Sequence, residues 1–296
     1  DTVSFMKAAG FNLFVTTPYW CDVERSDDKL DWSIVDRGRP FDLLNAGFKL
    51  KVHPVVYYQP WNVPSDKRDL DLDTLKDESL ELVSVIVDKI PNASIYEVSN
   101  EGNWKFGCAY DLTTQQYLGI IKAAADLIRT RNANATIGVN TAGALGDLWP
   151  VPWKSPNDGY TMETYSWYKY LQENGLDYDY AGIQYRPGYY DQNKVCYATP
   201  YLHEISALLD KYSELGKRIH ITEFEVPSIQ YDGMVRYGSQ DWSDEMQAAY
   251  AEGMYILSFS KPYVDSITWW FIISNYEENP EYQRLIEPIL FDEDHS

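Results

Sequence analysis

The sequence predicts one α/β domain, a (β/α)8 barrel of the TIM type, over residues 1–296. Strand-like and helix-like segments alternate along the whole chain, and this alternation indicates a parallel sheet. No shift in composition suggests a second domain, and a chain of 296 residues is an ordinary length for one barrel. Several strand-like segments also end in polar or acidic residues, which is where a barrel of this kind carries its chemistry.

The predicted elements follow one another in order, each read from hydrophobic periodicity and from its flanking stop signals. The chain opens on the end of a helix, Phe5 to Ala9. The predicted strands are 11–17, 49–58, a run from 95 that stops at Asn100-Glu101, 136–140, 180–185, 218–223 and 266–272. The predicted helices between and after them are 36–45, 75–89, 113–131, 163–172, 200–215 and 243–259.

Seven strands are one fewer than an eightfold barrel requires, so an open doubly wound sheet is the alternative. Such a sheet commonly binds a nucleotide through a glycine-rich loop after its first strand. Pro18 follows the first predicted strand here, and Gly143-Ala-Leu-Gly146 is too weak a match to count. The barrel is therefore the preferred fold.

Composition narrows the classes of function. The formal net charge of -20 argues against a nucleic acid or an anionic membrane as the partner, and no apolar run is long enough to span a membrane. The 25 tyrosines and 10 tryptophans fit either a large aromatic core or a cleft that stacks on sugar rings. Four scattered histidines and three scattered cysteines indicate no metal site, and no cofactor is expected.

Two glutamates at strand ends are the candidate catalytic groups. Glu101 ends one predicted strand and Glu223 ends another. Glu225 lies on the same side of that second strand and competes with Glu223 for the role of nucleophile. Retaining cleavage of a glycosidic bond needs two carboxyl groups, one as proton donor and one as nucleophile. Arg186, at the end of the preceding strand, would keep Glu223 ionised, and the pKa of the acid would rise beside that charge.

These strand ends resemble the motifs of glycoside hydrolase family 10, the retaining β-1,4-xylanases. The similar segments are Val98-Ser-Asn-Glu101, Ile221-Thr-Glu-Phe-Glu225, Gly182-Ile-Gln184, Ile267-Thr-Trp-Trp270, Lys51-Val-His53, the loop around Trp20, Glu24 and Leu30-Asp-Trp32, and Pro288-Ile-Leu-Phe-Asp292. The resemblance covers essentially the whole chain in order. It implies that the barrel's first strand would precede Asp1 and its last helix would follow Ser296.

The resemblance also implies roles for individual residues. Glu101 would be the acid/base and Glu223 the nucleophile. The other implied site residues are His53, Tyr57, Asn100, Gln184, Arg186, Glu225 and Trp270. Asn100 would bond the 2-hydroxyl of the sugar, and Trp270 would stack on it, although His53 and Trp270 could equally be core residues. The loop tryptophans Trp61, Trp104, Trp149 and Trp153 are further candidates for sugar stacking.

Several positions depart from the family pattern. Val15, Thr16 and Tyr19 stand where the family has a Glu-Asn pair and a lysine that grip the sugar. Tyr57 and Tyr58 replace a tryptophan and a histidine, and Arg186 replaces the histidine that contacts the nucleophile. Because Tyr57 and Tyr58 alternate in direction, one of them is expected to face the helices. The sequence therefore predicts a secreted or cell-surface, monomeric hydrolase of a polysaccharide or oligosaccharide, with xylan preferred. Another β-glycan, such as a glucan or mannan, and a catalytically silent sugar-binding barrel are the alternatives.

Overall fold

A computed structural model describes residues 2–24, 29–104, 108–147, 162–187, 199–230 and 235–270. Helices and strands alternate through these ranges. The strands are β1 Leu13–Thr16, β2 Lys49–Val52, β3 Ile95–Asn100, β4 Thr136–Thr141, β5 Tyr180–Tyr185, β6 Arg218–Phe224 and β7 Val264–Trp269. The helices are α1 Thr2–Ala8, α2 Trp20–Val23, α3 Ser33–Arg37, α4 Pro40–Asn45, α5 Leu72–Lys89, α6 Thr114–Arg131, α7 Thr164–Glu173, α8 Leu202–Ser213 and α9 Asp244–Ser260.

The seven strands are hydrogen-bonded in the order in which they occur along the chain, β1 to β7. Four strand pairs are parallel: β1 with β2, β2 with β3, β3 with β4, and β6 with β7. A parallel sheet in chain order, with helices between the strands, is the topology of a β/α barrel. The predicted fold class is therefore confirmed over the described part of the chain.

Most helices begin and end close to where the sequence predicts, because the residues that cap them are near neighbours in the sequence. The side chain of Asp71 accepts a hydrogen bond from the backbone of Thr74 at the start of α5. Thr113 and Gln116 form a reciprocal capping box at the start of α6, and Ser243 caps α9. The apolar residues that recur at helical spacing in α5 are buried in the structure: Leu75, Leu82, Val83, Ile86 and Val87.

Two predicted elements are wrong in extent. The strand predicted over 49–58 ends at Val52, because Pro54 has no backbone N–H for the ladder and the chain turns there. The helix predicted over 36–45 is two short helices, α3 and α4. Arg39 lies between them with a φ of 50°, and Pro40 starts the second helix. The short helix α2 was not predicted.

The described residues fall into two compact units. The first contains the described residues up to 142 together with 162–181, and thus β1 to β4. The second contains 143–147 and the described residues from 182 onward, and thus β6 and β7. In the described ranges, no helix has the length and apolar character needed to cross a membrane.

Candidate active site

Glu101 follows directly on β3, at the carboxyl end of the strand. Its backbone has a φ of 52°, a left-handed conformation that is rare for residues other than glycine and is found preferentially at functional sites. Its amide donates to the carbonyl of Asn140 at 3.0 Å, and its carbonyl accepts from Trp104 at 2.9 Å. The following residue must be glycine, since a Cβ on Gly102 would meet Tyr117 at 2.5 Å. The backbone therefore holds Glu101 in one place.

Asn100 is oriented by a neighbouring strand. The side-chain amide of Asn140, on β4, donates to Oδ1 of Asn100 at 2.8 Å, and both side chains are buried. Because the oxygen of Asn100 accepts this bond, the orientation of its amide group is fixed by β4. The sequence did not predict that Asn140, the last residue of the strand predicted over 136–140, orients Asn100.

Tyr57 and Tyr58 face different surroundings. The hydroxyl of Tyr57 donates to Oε2 of Glu101 at 2.8 Å, so this tyrosine contacts a candidate catalytic group. The Tyr58 side chain is buried, and its hydroxyl lies 2.5 Å from that of Ser79 on α5. The expectation that one of the two tyrosines faces the helices is met by Tyr58.

His53 belongs to a buried polar cluster that sequence reasoning missed. Glu97, in the middle of β3, contacts Lys51 at 3.1 Å, the hydroxyl of Tyr180 at 2.7 Å and Nδ1 of His53. Tyr180 reaches Glu97 across Gly138, where a Cβ would lie 2.0 Å from the phenol ring. A charged residue inside a fully buried strand was the available signal, since such a charge needs a partner.

Charges decide the ionisation of this cluster. Burial alone raises the pKa of Glu97, but attraction to Lys51 and the contacts with His53 and Tyr180 outweigh burial and hold that pKa well below its ordinary value. Glu97 is therefore an ionised, paired carboxylate in the core of the first unit.

Glu223, in β6, is only 3% exposed and is held by two side chains of the second unit. Gln184, on β5, donates to Oε1 of Glu223 at 2.8 Å, and Arg186 donates from Nη2 to Oε2. Both carboxylate oxygens therefore accept a hydrogen bond, one of them from a cation. The structure brings together three of the predicted site residues here.

Glu225 lies beside the same arginine. Its Oε2 is 3.7 Å from Nε of Arg186, so one guanidinium serves two buried carboxylates. Burial raises the pKa of Glu225, Arg186 lowers it, and the neighbouring charge of Glu223 raises it further, with a net increase. The Arg186 guanidinium also lies 5.8 Å from the ring centroid of Trp270, which is half-buried.

Other predicted sites have mixed outcomes. Trp61 is 55% exposed and packs edge-on against Tyr19 and Tyr57, with ring centroids 5.1 and 5.6 Å apart. Within the described ranges, Cys21 and Cys108 are not bonded to each other. Several predicted features lie outside the described residues: Trp149, Trp153, Cys196, the last two residues of the strand predicted over 266–272, and the segment Pro288–Asp292.

Comparison with known sequences gives one partial match. No protein-family model matches the chain. An endo-1,4-beta-xylanase from Geobacillus stearothermophilus is 26% identical over 138 residues. That alignment covers 45% of this chain and 39% of the xylanase, so the chain matches about two-fifths of the length of this curated relative.

Comparison with solved structures covers the whole chain. Xylanase 10B from Thermotoga petrophila, solved in complex with xylobiose, has a TM-score of 0.72 and 19% identity, covering 100% of this chain and 85% of that one. A GH10 xylanase from Thermobacillus composti has a TM-score of 0.71 and 19% identity, covering 100% and 88%. Native xylanase 10B from Thermotoga maritima gives 0.71 and 17%, covering 100% and 86%. The resemblance that the strand-end motifs indicate is thus confirmed, and the chain has the fold of the glycoside hydrolase family 10 xylanases.

Proposed function

We propose that this chain is a retaining glycoside hydrolase of family 10, an endo-β-1,4-xylanase-like enzyme with Glu223 as nucleophile and Glu101 as acid/base. It would act as a monomer on a β-1,4-linked polysaccharide outside the cell or at its surface. The observation that carries the proposal is the Glu223 carboxylate. It is buried at the end of β6 and bonded by Gln184 and Arg186, in a chain with the fold of family 10 xylanases.

The first chemical step forms a covalent intermediate. Glu223 attacks the anomeric carbon while the glycosidic bond to the leaving oxygen breaks, and Glu101 transfers its proton to that oxygen. Glu223 attacks as a carboxylate, and Gln184 and Arg186 hold its two oxygens by hydrogen bonds.

The second step releases the sugar with its original configuration. Glu101, now ionised, removes a proton from a water molecule whose oxygen attacks the anomeric carbon. The bond to Glu223 breaks, and its carboxylate is regenerated. A retaining enzyme needs the two carboxyl groups about 5 to 5.5 Å apart during this cycle.

Asn100 and Trp270 have supporting roles in the proposal. Asn100, which Asn140 orients, is the proposed partner of the 2-hydroxyl of the reacting sugar, whose hydrogen bonds strengthen in the transition state. Trp270 would stack on the sugar next to Arg186. His53 is only 2% exposed and pairs with Glu97, so its proposed part in the site is to shape the wall of the first unit.

Replacing Glu223 tests the reaction directly. Glu223→Ala should abolish turnover of a sensitive aryl glycoside, and added azide should restore product formation with inverted configuration at the anomeric carbon. Glu252→Ala, which removes an exposed glutamate of α9, is the matched control and should keep wild-type activity. Hydrolysis by the Glu223→Ala protein at the wild-type rate would refute the assignment of the nucleophile.

A different β-glycan is the second candidate substrate. The changes at Val15, Thr16 and Tyr19, together with Tyr57 in place of tryptophan and Arg186 in place of histidine, alter the sugar-facing positions that the family uses. A panel of xylan, mixed-linkage glucan, cellulose and mannan, followed by release of reducing ends, distinguishes the candidates. Xylan as the best substrate supports the first candidate, and a glucan or mannan as the best substrate supports the second.

A further inference from the structure

The hydroxyl of Tyr57 is hydrogen-bonded to Glu101, a contact that the family resemblance does not imply for this position. The donor–acceptor distance is 2.8 Å, and Glu101 can accept only when its Oε2 oxygen faces the phenol. The resemblance implies a substrate-binding role for Tyr57. The observed contact is instead with the residue proposed as acid/base.

The backbone of Tyr57 is held by a buried asparagine. Asn62 donates from its side chain to the carbonyl of Tyr57 at 2.5 Å. The same asparagine accepts from the amide of Trp20 at 3.0 Å through Oδ1 and from the amide of Cys21 at 2.8 Å through its backbone carbonyl. Trp61 then packs edge-on against the Tyr57 ring. Both the backbone and the ring of Tyr57 are therefore fixed before the hydroxyl meets Glu101.

Glu101 needs such a fixed partner because its side chain is long. The backbone bonds to Asn140 and from Trp104 fix its Cα, but a glutamate side chain retains three rotatable bonds beyond that atom. A donor on Oε2 favours the side-chain conformations that keep this oxygen at the phenol. A hydrogen bond to the ionised form also lowers the pKa of the carboxyl group.

We propose that Tyr57 is the positioning residue of Glu101: its phenol fixes which carboxylate oxygen faces the sugar and stabilises the ionised form. This inference rests on the proposed function of Glu101 as acid/base. It assigns to Tyr57 a role in proton transfer, in addition to any contact that its ring makes with the substrate.

The test compares Tyr57→Phe with Tyr58→Phe. Each change removes one hydroxyl from adjacent tyrosines, but the hydroxyl of Tyr58 faces Ser79 and not Glu101. In the Tyr57→Phe protein the pKa of Glu101 should rise by about half to one pH unit. The alkaline limb of kcat/KM should move to higher pH by the same amount. The Tyr58→Phe protein should keep the wild-type limb.

A leaving-group series separates positioning from general damage. The dinitrophenolate group of a dinitrophenyl glycoside leaves without being protonated. The first step of hydrolysis of these substrates should therefore be nearly unaffected by Tyr57→Phe. Glycosides with poor leaving groups should lose about tenfold in kcat/KM, because proton donation limits their first step. An equal loss on both kinds of substrate would indicate a structural role and overturn the inference.

Direct titration of Glu101 makes the test independent of turnover. Carbon-13 NMR of the glutamate carboxyl groups, with Glu101→Gln to assign the resonance, measures the pKa of Glu101 in wild-type, Tyr57→Phe and Tyr58→Phe proteins. A rise in Tyr57→Phe alone supports the inference. An unchanged value, or the same rise in both variants, overturns it. A wild-type protein that hydrolyses no glycoside would instead refute the proposed function, and the titration would still decide the contact.

Discussion

Two buried carboxylate clusters, one in each unit, differ in their balance of charge. In the first unit, Glu97 faces Lys51, His53 and Tyr180, so one carboxylate has several donors. In the second unit, Glu223 and Glu225 share Arg186, so two carboxylates face one cation. The pKa of Glu97 is lowered, whereas the pKa of Glu225 is raised.

The difference supports the proposal that the cluster of the second unit carries the reaction, and it assigns the cluster of the first unit to stability. A compensated carboxylate stays ionised and inert, and it fixes the strands that carry it. A cluster with an excess of negative charge is costly to bury, but it is complementary to a positively charged transition state. Glycoside cleavage passes through an oxocarbenium-like transition state. The uncompensated cluster of the second unit is therefore the one suited to that chemistry.

The largest expected effect is on stability, from the compensated cluster. Glu97→Leu leaves Lys51 buried without its carboxylate partner and should lower the free energy of unfolding by about 3 to 5 kcal/mol. Urea denaturation at neutral pH measures this value. The double variant Lys51→Met/Glu97→Leu should recover most of the loss, because no unpaired charge remains. A double variant as unstable as Glu97→Leu would contradict this account of the cluster.

The next effect is on catalysis, from the uncompensated cluster. Arg186→Met removes a cationic donor from Glu223 and leaves two carboxylates facing each other, so kcat should fall about a hundredfold. Arg218→Met is the control, since Arg218 pairs with Asp265 where both side chains are exposed, and it should change kcat little. Comparable losses in the two variants would show that Arg186 has no special relation to the reaction.

An intermediate effect is the loss of stability in acid. The folded-state pKa of Glu97 lies below its ordinary value of 4.5, so its contribution to stability is present above about that pH and is lost as pH falls toward the lower folded-state pKa. Each such group changes the free energy of unfolding by at most about 1.4 kcal/mol per pH unit. Urea denaturation between pH 5 and pH 3 should therefore show a smaller dependence on pH for Glu97→Gln than for the wild type. Parallel curves for the two proteins would refute the lowered pKa.

The smallest expected effect is at Glu225, where the pH dependence of stability has the opposite sign to that at Glu97. Its folded-state pKa is above the ordinary value, so ionising it in the folded protein costs stability as pH rises above about 4.5. Glu225→Gln should therefore gain up to about 1 kcal/mol relative to the wild type between pH 4 and pH 7. Urea denaturation at both pH values measures that gain. A variant that loses stability over this interval would contradict the raised pKa.

The sequence predicted the parts of the fold that depend on local signals. The caps at Asp71, Thr113 and Ser243 and the apolar face of α5 are set within one or two turns, so the helix boundaries followed. The prediction that the strand continues to residue 58 was wrong. The apolar run 55–58 continues the strand pattern beyond Pro54, but the strand itself ends at Val52.

The candidate site was predicted as residue types rather than as contacts. Strand ends identified Glu101 and Glu223, and strand alternation placed Glu225 on the same side as Glu223. Alternation also predicted that Tyr57 and Tyr58 point in different directions. It could not show which of them meets Glu101, because that depends on the loop held by Asn62. The partners of Glu97 come from β2, from the residue directly after it and from β5, and no local signal joins them.

Covalent labelling tests the central claim, that Glu223 is the nucleophile of a retaining glycoside hydrolase. The protein is incubated with dinitrophenyl 2-deoxy-2-fluoro-β-xylobioside and with the corresponding cellobioside, and peptides are then sequenced by mass spectrometry. We predict one stoichiometric label on Glu223, release of dinitrophenolate in a single burst, and no label in Glu223→Ala. A label on Glu225, or binding of both sugars with neither label nor burst, would contradict the claim, and the second result would indicate a catalytically silent sugar-binding barrel.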